Sequence, residues 1–160
     1  MDFPLRTGYK FRSGYGSRID PITGVRSGHN GVDYSAPSGT PIYAPDSGIV
    51  SGSSYSSSSG NYVLIKHDNG YTTGYAHMVR PGIKKGKRVR RGDVIGNVGT
   101  TGRSTGNHLH LTLRNKKGSV IDPHSINWKT ATARPKYLVL VPSVILLGAG
   151  SYFLYQSLRK

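Results

Sequence analysis

The sequence predicts a mainly β protein: a compact antiparallel β-sheet domain with long loops, followed by one C-terminal transmembrane α-helix. Three observations predict it. Turn-forming residues recur through the first 128 positions, which hold most of the 22 Gly and 9 Pro. The stretches between them are short, strand-like and carry no helical apolar stripe in any 11-residue window. A run of 19 uncharged residues, Tyr137 to Tyr155, stands apart near the C-terminus.

Turns delimit the elements. Ser13-Gly14, Pro21 to Gly24, Asp46 to Gly48, Ser56 to Gly60, Asp68 to Gly70, Lys84 to Gly86 and Gly99 to Gly102 each end on a glycine, most of them with Ser, Asp, Asn or Pro alongside. Between them the clearest strands are Pro41 to Ala44, Gly48 to Ser51, Tyr62 to Lys66, Tyr71 to His77, Val94 to Val98 and His108 to Leu113. The serine-rich stretch Ser53 to Ser59 is of low complexity and is expected to be a flexible loop. No internal repeat stands out.

With 160 residues the chain has room for one domain and a short appendage. The domain is expected over residues 1–128. Residues 129–136 (KTATARPK) read as a linker, because they are small, polar and basic and include a proline. Residues 137–157 read as a transmembrane helix, with a basic tail at 158–160. Arg134 and Lys136 flank the apolar run on one side, Arg159 and Lys160 on the other, and Tyr137, Tyr152, Phe153 and Tyr155 suit the two head-group interfaces. Membrane lipid is therefore an expected partner of this segment. The other reading, a buried core helix, fails on size: nothing in so small a domain would cover it on all sides.

Charge bounds the partners. The chain has 22 Lys and Arg against 7 acidic residues, all Asp, for a net charge of +15. Both the domain and the C-terminal segment are basic, which favours polyanions: nucleic acid, anionic lipid or an anionic cell-wall polymer. Seven of the cations lie between Arg80 and Arg91. That run reads as a solvated loop and strand edge, where lysine discourages edge pairing, or as a contact to anionic lipid or wall. No aromatic stacking pattern accompanies it, so nucleic acid is not expected as a partner.

With no cysteine, any transition metal must be held by His and carboxylate. There are six histidines. In a strand, His108 and His110 share one face while Leu109 and Leu111 share the other. His29 and Asp33, separated by an even number, fall on one face if the segment between Gly28 and Asp33 is extended. One His, one Asp and one His from the second pair match the three protein ligands of a catalytic zinc site.

In this order the motifs resemble those of the lysostaphin/LytM-type zinc endopeptidases, which cleave peptidoglycan peptides. The resemblance runs from about Phe11 to Trp128. It is carried by Gly14-Tyr15-Gly16-Ser17-Arg18-Ile19-Asp20-Pro21-Ile22-Thr23-Gly24, by His29-Asn30-Gly31-Val32-Asp33 with Ala36-Pro37-Ser38-Gly39-Thr40-Pro41, by Tyr75-Ala76-His77-Met78, and by Gly92-Asp93-Val94-Ile95-Gly96, Gly99-Thr100-Thr101-Gly102 and Thr105-Gly106-Asn107-His108-Leu109-His110. Asn107 stands where the family commonly has proline, and Leu111-Thr112 replaces a common aromatic-acidic pair.

The resemblance implies one Zn2+ ion held by His29, Asp33 and His110. It also implies that His77 and His108 line the metal's open side, where they position and deprotonate the attacking water and stabilise the oxyanion. His67 and His124 read as structural or exposed. The implied substrate is bacterial peptidoglycan peptide. The family cuts both D-Ala-to-diaminopimelate links and glycine bridges, and the direct cross-link is the expectation here. The alternative is a catalytically silent wall-binding or regulatory module of the same fold, a class marked by lost ligands, and none is lost. Met1 to Gly14 hold no apolar run like that of a secretory signal, and a basic domain ahead of the helix favours the inner side of a membrane. A location in a phage virion membrane, with wall cleavage during infection, reconciles this with an external substrate. The bacterial envelope is the other location.

Overall fold

The computed structural model describes residues 1–130. Twelve strands follow in order: β1 (Lys10–Ser13), β2 (Gly16–Ile19), β3 (Arg26–His29), β4 (Val32–Ser35), β5 (Pro41–Tyr43), β6 (Gly48–Ser56), β7 (Gly60–His67), β8 (Thr72–Met78), β9 (Arg88–Val89), β10 (Val94–Asn97), β11 (His108–Arg114) and β12 (Val120–Ile121). The one helical element among the described residues is a 3-10 turn at Pro123–Ser125. All pairings between these strands are antiparallel. The main sheet runs β1-β4-β11-β8-β7-β6-β9 with β12 on β11, while β5 with β10 and β2 with β3 form separate two-stranded ribbons.

The mainly β, antiparallel expectation is met. Among the described residues no helix is long and apolar enough to cross a membrane. The expected transmembrane helix at 137–157 and nearly all of the linker at 129–136 lie outside the described residues.

Strand alternation sorts the side chains. On β11, Leu109, Leu111 and Leu113 are fully buried, while His108, His110 and Thr112 take the other face. Each such leucine contributes about 1.5–3 kcal/mol through burial. On β7, Val63 and Ile65 are buried and Leu64 between them is 36% exposed. The core therefore occupies one face of the sheet, where these residues join Val32, Val50, Ile42, Ile95 and Val98.

Both ends of the described chain close over this core. Leu5 is buried, and the Phe3 ring meets Tyr34 at 5.0 Å and Trp128 at 5.9 Å. Phe3 N–H donates to Lys129 O, and Lys129 N–H donates to Met1 O.

Two local expectations are corrected. Ser53 to Ser56 is not a loop but the end of β6, paired with Val63, Tyr62, Asn61 and Gly60 of β7. Serine has no strand preference of its own, and the ladder of β7 supplies the partners. The hairpin tip is confined to residues 57–59. The segment from His29 to Asp33 is not one extended strand: it ends β3, turns at Asn30-Gly31 and enters β4 in a different sheet.

Candidate metal centre

The face of the sheet opposite the core carries His77, His108 and His110. His110 on β11 stands directly opposite Asp33 on β4 and Ala76 on β8, and directly opposed residues share a face. His29 arrives from the β2–β3 ribbon, although it shares no strand with Asp33. Gly31 lets this happen. A Cβ there would clash with Leu111 O and lie 2.8 Å from His110 Cε1, so only glycine lets β3 fold back onto the His110 ring.

Three acceptors converge as a result. His110 Nδ1 lies 2.8 Å and His29 Nε2 3.2 Å from Asp33 Oδ1, and the two ring nitrogens are 3.0 Å apart. His29 Nδ1 faces Gly14 O at 2.6 Å and so carries the hydrogen, leaving the Nε2 lone pair inward. His110 Nε2–H donates to Asn30 Oδ1 at 3.1 Å, leaving the Nδ1 lone pair inward. Facing lone pairs repel unless a cation lies among them. Ligand atoms held at 2.0–2.1 Å around a tetrahedral zinc are about 3.3 Å apart, close to the spacing seen here. This two-nitrogen, one-oxygen set fits zinc, and His29, Asp33 and His110 form the candidate metal group among the described residues.

Asp33 is set for the role. Burial alone would raise its carboxyl, but the two imidazole rings packed against Oδ1, His110 and His29, outweigh burial and hold it well below the usual carboxylate range. Its second oxygen accepts from Arg18 Nη1 at 2.9 Å, and the same nitrogen donates to Ser13 Oγ. Arg18 thus orients the carboxylate, the kind of outer contact that fixes a metal ligand.

His77 and His108 stand beside this group, with ring centroids 4.6 Å apart. Their Nδ1–H groups donate to Thr101 O and Gly106 O, both at 2.8 Å, so both present Nε2 lone pairs. Burial depresses both rings, His77 to about 4, so they are neutral near pH 7. His77 also has φ 60°, the one non-glycine residue with positive φ among the described residues. The ladder between β7 and β8 shifts register there, and this bulge turns His77 to the same side as its neighbour Ala76.

The five residues singled out in the sequence are thus brought together along a groove of about 550 Å3. Residues missed by sequence reading are Arg18, Asn30, Thr101 and Gly106, which fix the others. All four lay inside the motifs that carry the resemblance, but Thr101 and Gly106 act through backbone carbonyls, which leave no signal in residue type.

The other candidates fall outside the groove. His67 is buried, with Nδ1–H toward Asp46 O and Ser47 O and Nε2 accepting from the Thr73 hydroxyl at 2.7 Å. His124 bonds the Tyr34 hydroxyl at 2.6 Å. The basic run forms an exposed loop and the edge strand β9, at the far side of the sheet from β1.

Residues 27–123 match the model of Peptidase family M23. The chain is 52% identical over 93 residues to the peptidoglycan DD-endopeptidase ShyC of Vibrio cholerae, which covers 58% of this chain and 22% of that protein. Among solved structures, a zinc-containing peptidase from Vibrio cholerae superposes with a TM-score of 0.71 at 34% identity, over 79% of this chain and 40% of the other. The catalytic domain of lysostaphin from Staphylococcus simulans gives 0.65 at 32% identity, over 73% and 90%. The chain spans about a fifth to a third of the length of the curated relatives it matches.

Proposed function

The chain belongs to peptidase family M23, and on that premise we propose that it is a zinc endopeptidase that hydrolyses D,D cross-links of bacterial peptidoglycan. The observation that carries this reading is the convergence of His29, Asp33 and His110 within 4.8 Å beside two neutral imidazoles.

In this reading His29 Nε2, Asp33 and His110 Nδ1 hold one zinc ion. When bound, zinc supplies a Lewis acid that polarises the scissile carbonyl and acidifies water. His77 and His108 handle the proton. Each presents an Nε2 lone pair with its Nδ1–H anchored on a carbonyl, so each can take a proton from water without turning its ring. The water oxygen bonds the carbonyl carbon, the carbon–nitrogen bond breaks, and the imidazolium returns the proton to the departing amine. The anchors at Thr101 O and Gly106 O also stabilise the transient imidazolium.

Residues 137–157 would anchor this domain to a membrane, a reading supported by their uncharged run and its basic and aromatic flanks. A phage virion membrane and the bacterial envelope are the two locations, and detection of the native protein in purified virions or in cell membranes distinguishes them.

The test is digestion of purified sacculi by the full chain in detergent, with mass spectrometry of the fragments. Release of cross-link fragments is expected from the wild type, with loss of at least about 1000-fold on His110→Ala or with a chelator. Equal release by wild type and His110→Ala would sink the zinc-peptidase reading. Sacculus binding without release would favour a catalytically silent module.

A further inference from the structure

The groove holds four arginines, Arg12, Arg18, Arg103 and Arg114, against two carboxylates, Asp20 and Asp33. Both carboxylates are already matched: Arg18 pairs with Asp33 and Arg103 with Asp20, each at 2.9 Å. Asp20 also accepts the N–H groups of Ile22 and Thr23. Arg114 donates to Gly118 O at 3.0 Å.

Arg12 and Arg114 are the two of these without a carboxylate partner, and they differ in place: Arg114 stands four residues beyond His110 at the end of β11, whereas Arg12 lies against the loop that anchors His108. Arg12 Nη2 donates to Thr105 Oγ1 at 2.8 Å, and among the described residues no carboxylate pairs with it. A guanidinium has five N–H donors in a planar fork that matches a carboxylate, so most of the capacity of Arg12, which lines the groove, is not taken up by the bond to Thr105. The position is also particular. Arg12 runs along the loop that fixes His108: its Nη1 lies 3.8 Å from where a Gly106 Cβ would be, and Gly106 O is the anchor of His108 Nδ1. The guanidinium therefore lies against the turn that anchors His108, the imidazole that the endopeptidase reading sets beside the reacting bond.

We propose that Arg12, steadied by Thr105, is a carboxylate-binding subsite that selects a scissile bond whose amine-side residue keeps a free carboxylate. This rests on the endopeptidase reading above. In a D,D cross-link the carbon attached to the scissile nitrogen also bears a free carboxylate, which must lie within a few bonds of the reacting atoms. A bridge of internal glycines carries none. The carboxylate is a spectator: it neither gains nor loses a proton, and it holds the amine-side residue while the carbon–nitrogen bond breaks. A groove with two cations in excess over its carboxylates also concentrates anionic peptides.

The test uses the zinc-loaded full chain in detergent with two cross-linked muropeptide dimers that differ only in whether that carboxylate is free or amidated. Wild type is expected to prefer the free acid in kcat/KM by about 10- to 150-fold, the range of a charge-assisted hydrogen bond. In Arg12→Gln that ratio should collapse to about 1, and in Arg12→Lys it should be intermediate, because the charge remains and the fork is lost. A general effect of Arg12 on His108 would instead change both substrates alike and leave the ratio standing. Cleavage of both dimers at equal rates by wild type, or an unchanged ratio in Arg12→Gln, overturns the proposal. Calorimetric binding of the two dimers to the zinc-free chain separates the failures. Carboxylate-dependent binding that Arg12→Gln removes, without turnover by the loaded wild type, upholds the subsite and sinks the endopeptidase reading.

Discussion

Replacing Gly31 with alanine tests whether the metal centre depends on the close approach of β3 to His110. An added Cβ would clash with the backbone oxygen of Leu111 and lie 2.8 and 3.0 Å from His110 Cε1 and Nε2. Neither neighbour is free to give. Leu111 is fully buried and paired with Val32, and the His110 ring is tied to Asn30 and closed in by Asp33 Oδ1 at 2.8 Å on its other side. Overpacking of this kind costs about 1–3 kcal/mol. For a domain of this size that corresponds to a fall in Tm of about 3–6 °C per kcal/mol. The strain is delivered to a ligand, so zinc affinity should fall by about 10- to 100-fold, as it does when ligand-orienting contacts are lost. Gly28→Ala is the internal control: its Cβ would meet nothing within 4 Å, and a change within about 0.5 kcal/mol is expected. The assays are urea denaturation for stability and competition with a chromophoric chelator for zinc. A Gly31→Ala chain that matched Gly28→Ala in both would refute the reasoning, since the strand would then have room the structure denies it.

Three further outcomes follow from single contacts. Arg18→Ala frees the second oxygen of Asp33 and should weaken zinc binding by about 10- to 100-fold, measured by the same competition, with far-UV circular dichroism unchanged. Burial lowers His67 in the folded chain, so the unfolded chain binds the extra proton first. Its contribution to stability is then complete above pH of about 6.5 and is lost as pH falls from there through the lowered folded value. His67→Gln should show a smaller drop in urea midpoint between pH 7.5 and 5 than the wild type, while a drop of equal size would show that the ring does not contribute. Trp128→Ala removes a ring stacked edge-on to Phe3 at 5.9 Å and its N–H bond to Pro123 O. It should cost about 2–4 kcal/mol, and a loss under 0.5 kcal/mol would place the end of the folded unit earlier in the chain.

Much of the site was legible because strand geometry is periodic. His108 and His110 lie two apart and share a face whatever the partner strands are, and the buried Leu109 and Leu111 confirm the alternation. The six strands expected from β-rich runs all form, with ends shifted by a few residues. The strands that escaped notice, β1 to β4, β9 and β12, are only two to four residues long, and β1 to β3 are rich in Gly, Ser and Arg. Such segments have little preference of their own and become strands because a neighbour offers a ladder. The same reason moved Ser53 to Ser56 from loop to strand.

By itself the sequence determined which donors were available, with no thiolate and a small set of His and Asp, and it placed two imidazoles on one strand face. Those are consequences of residue identity and of the two-residue repeat, which are local. The tertiary structure alone decided that His29 meets Asp33 from another sheet, through a turn only glycine permits. It also decided that His77 faces the groove, since alternation from Tyr75 would have sent it to the core. A bulge with φ 60° reverses it, and a bulge depends on how two distant strands pair.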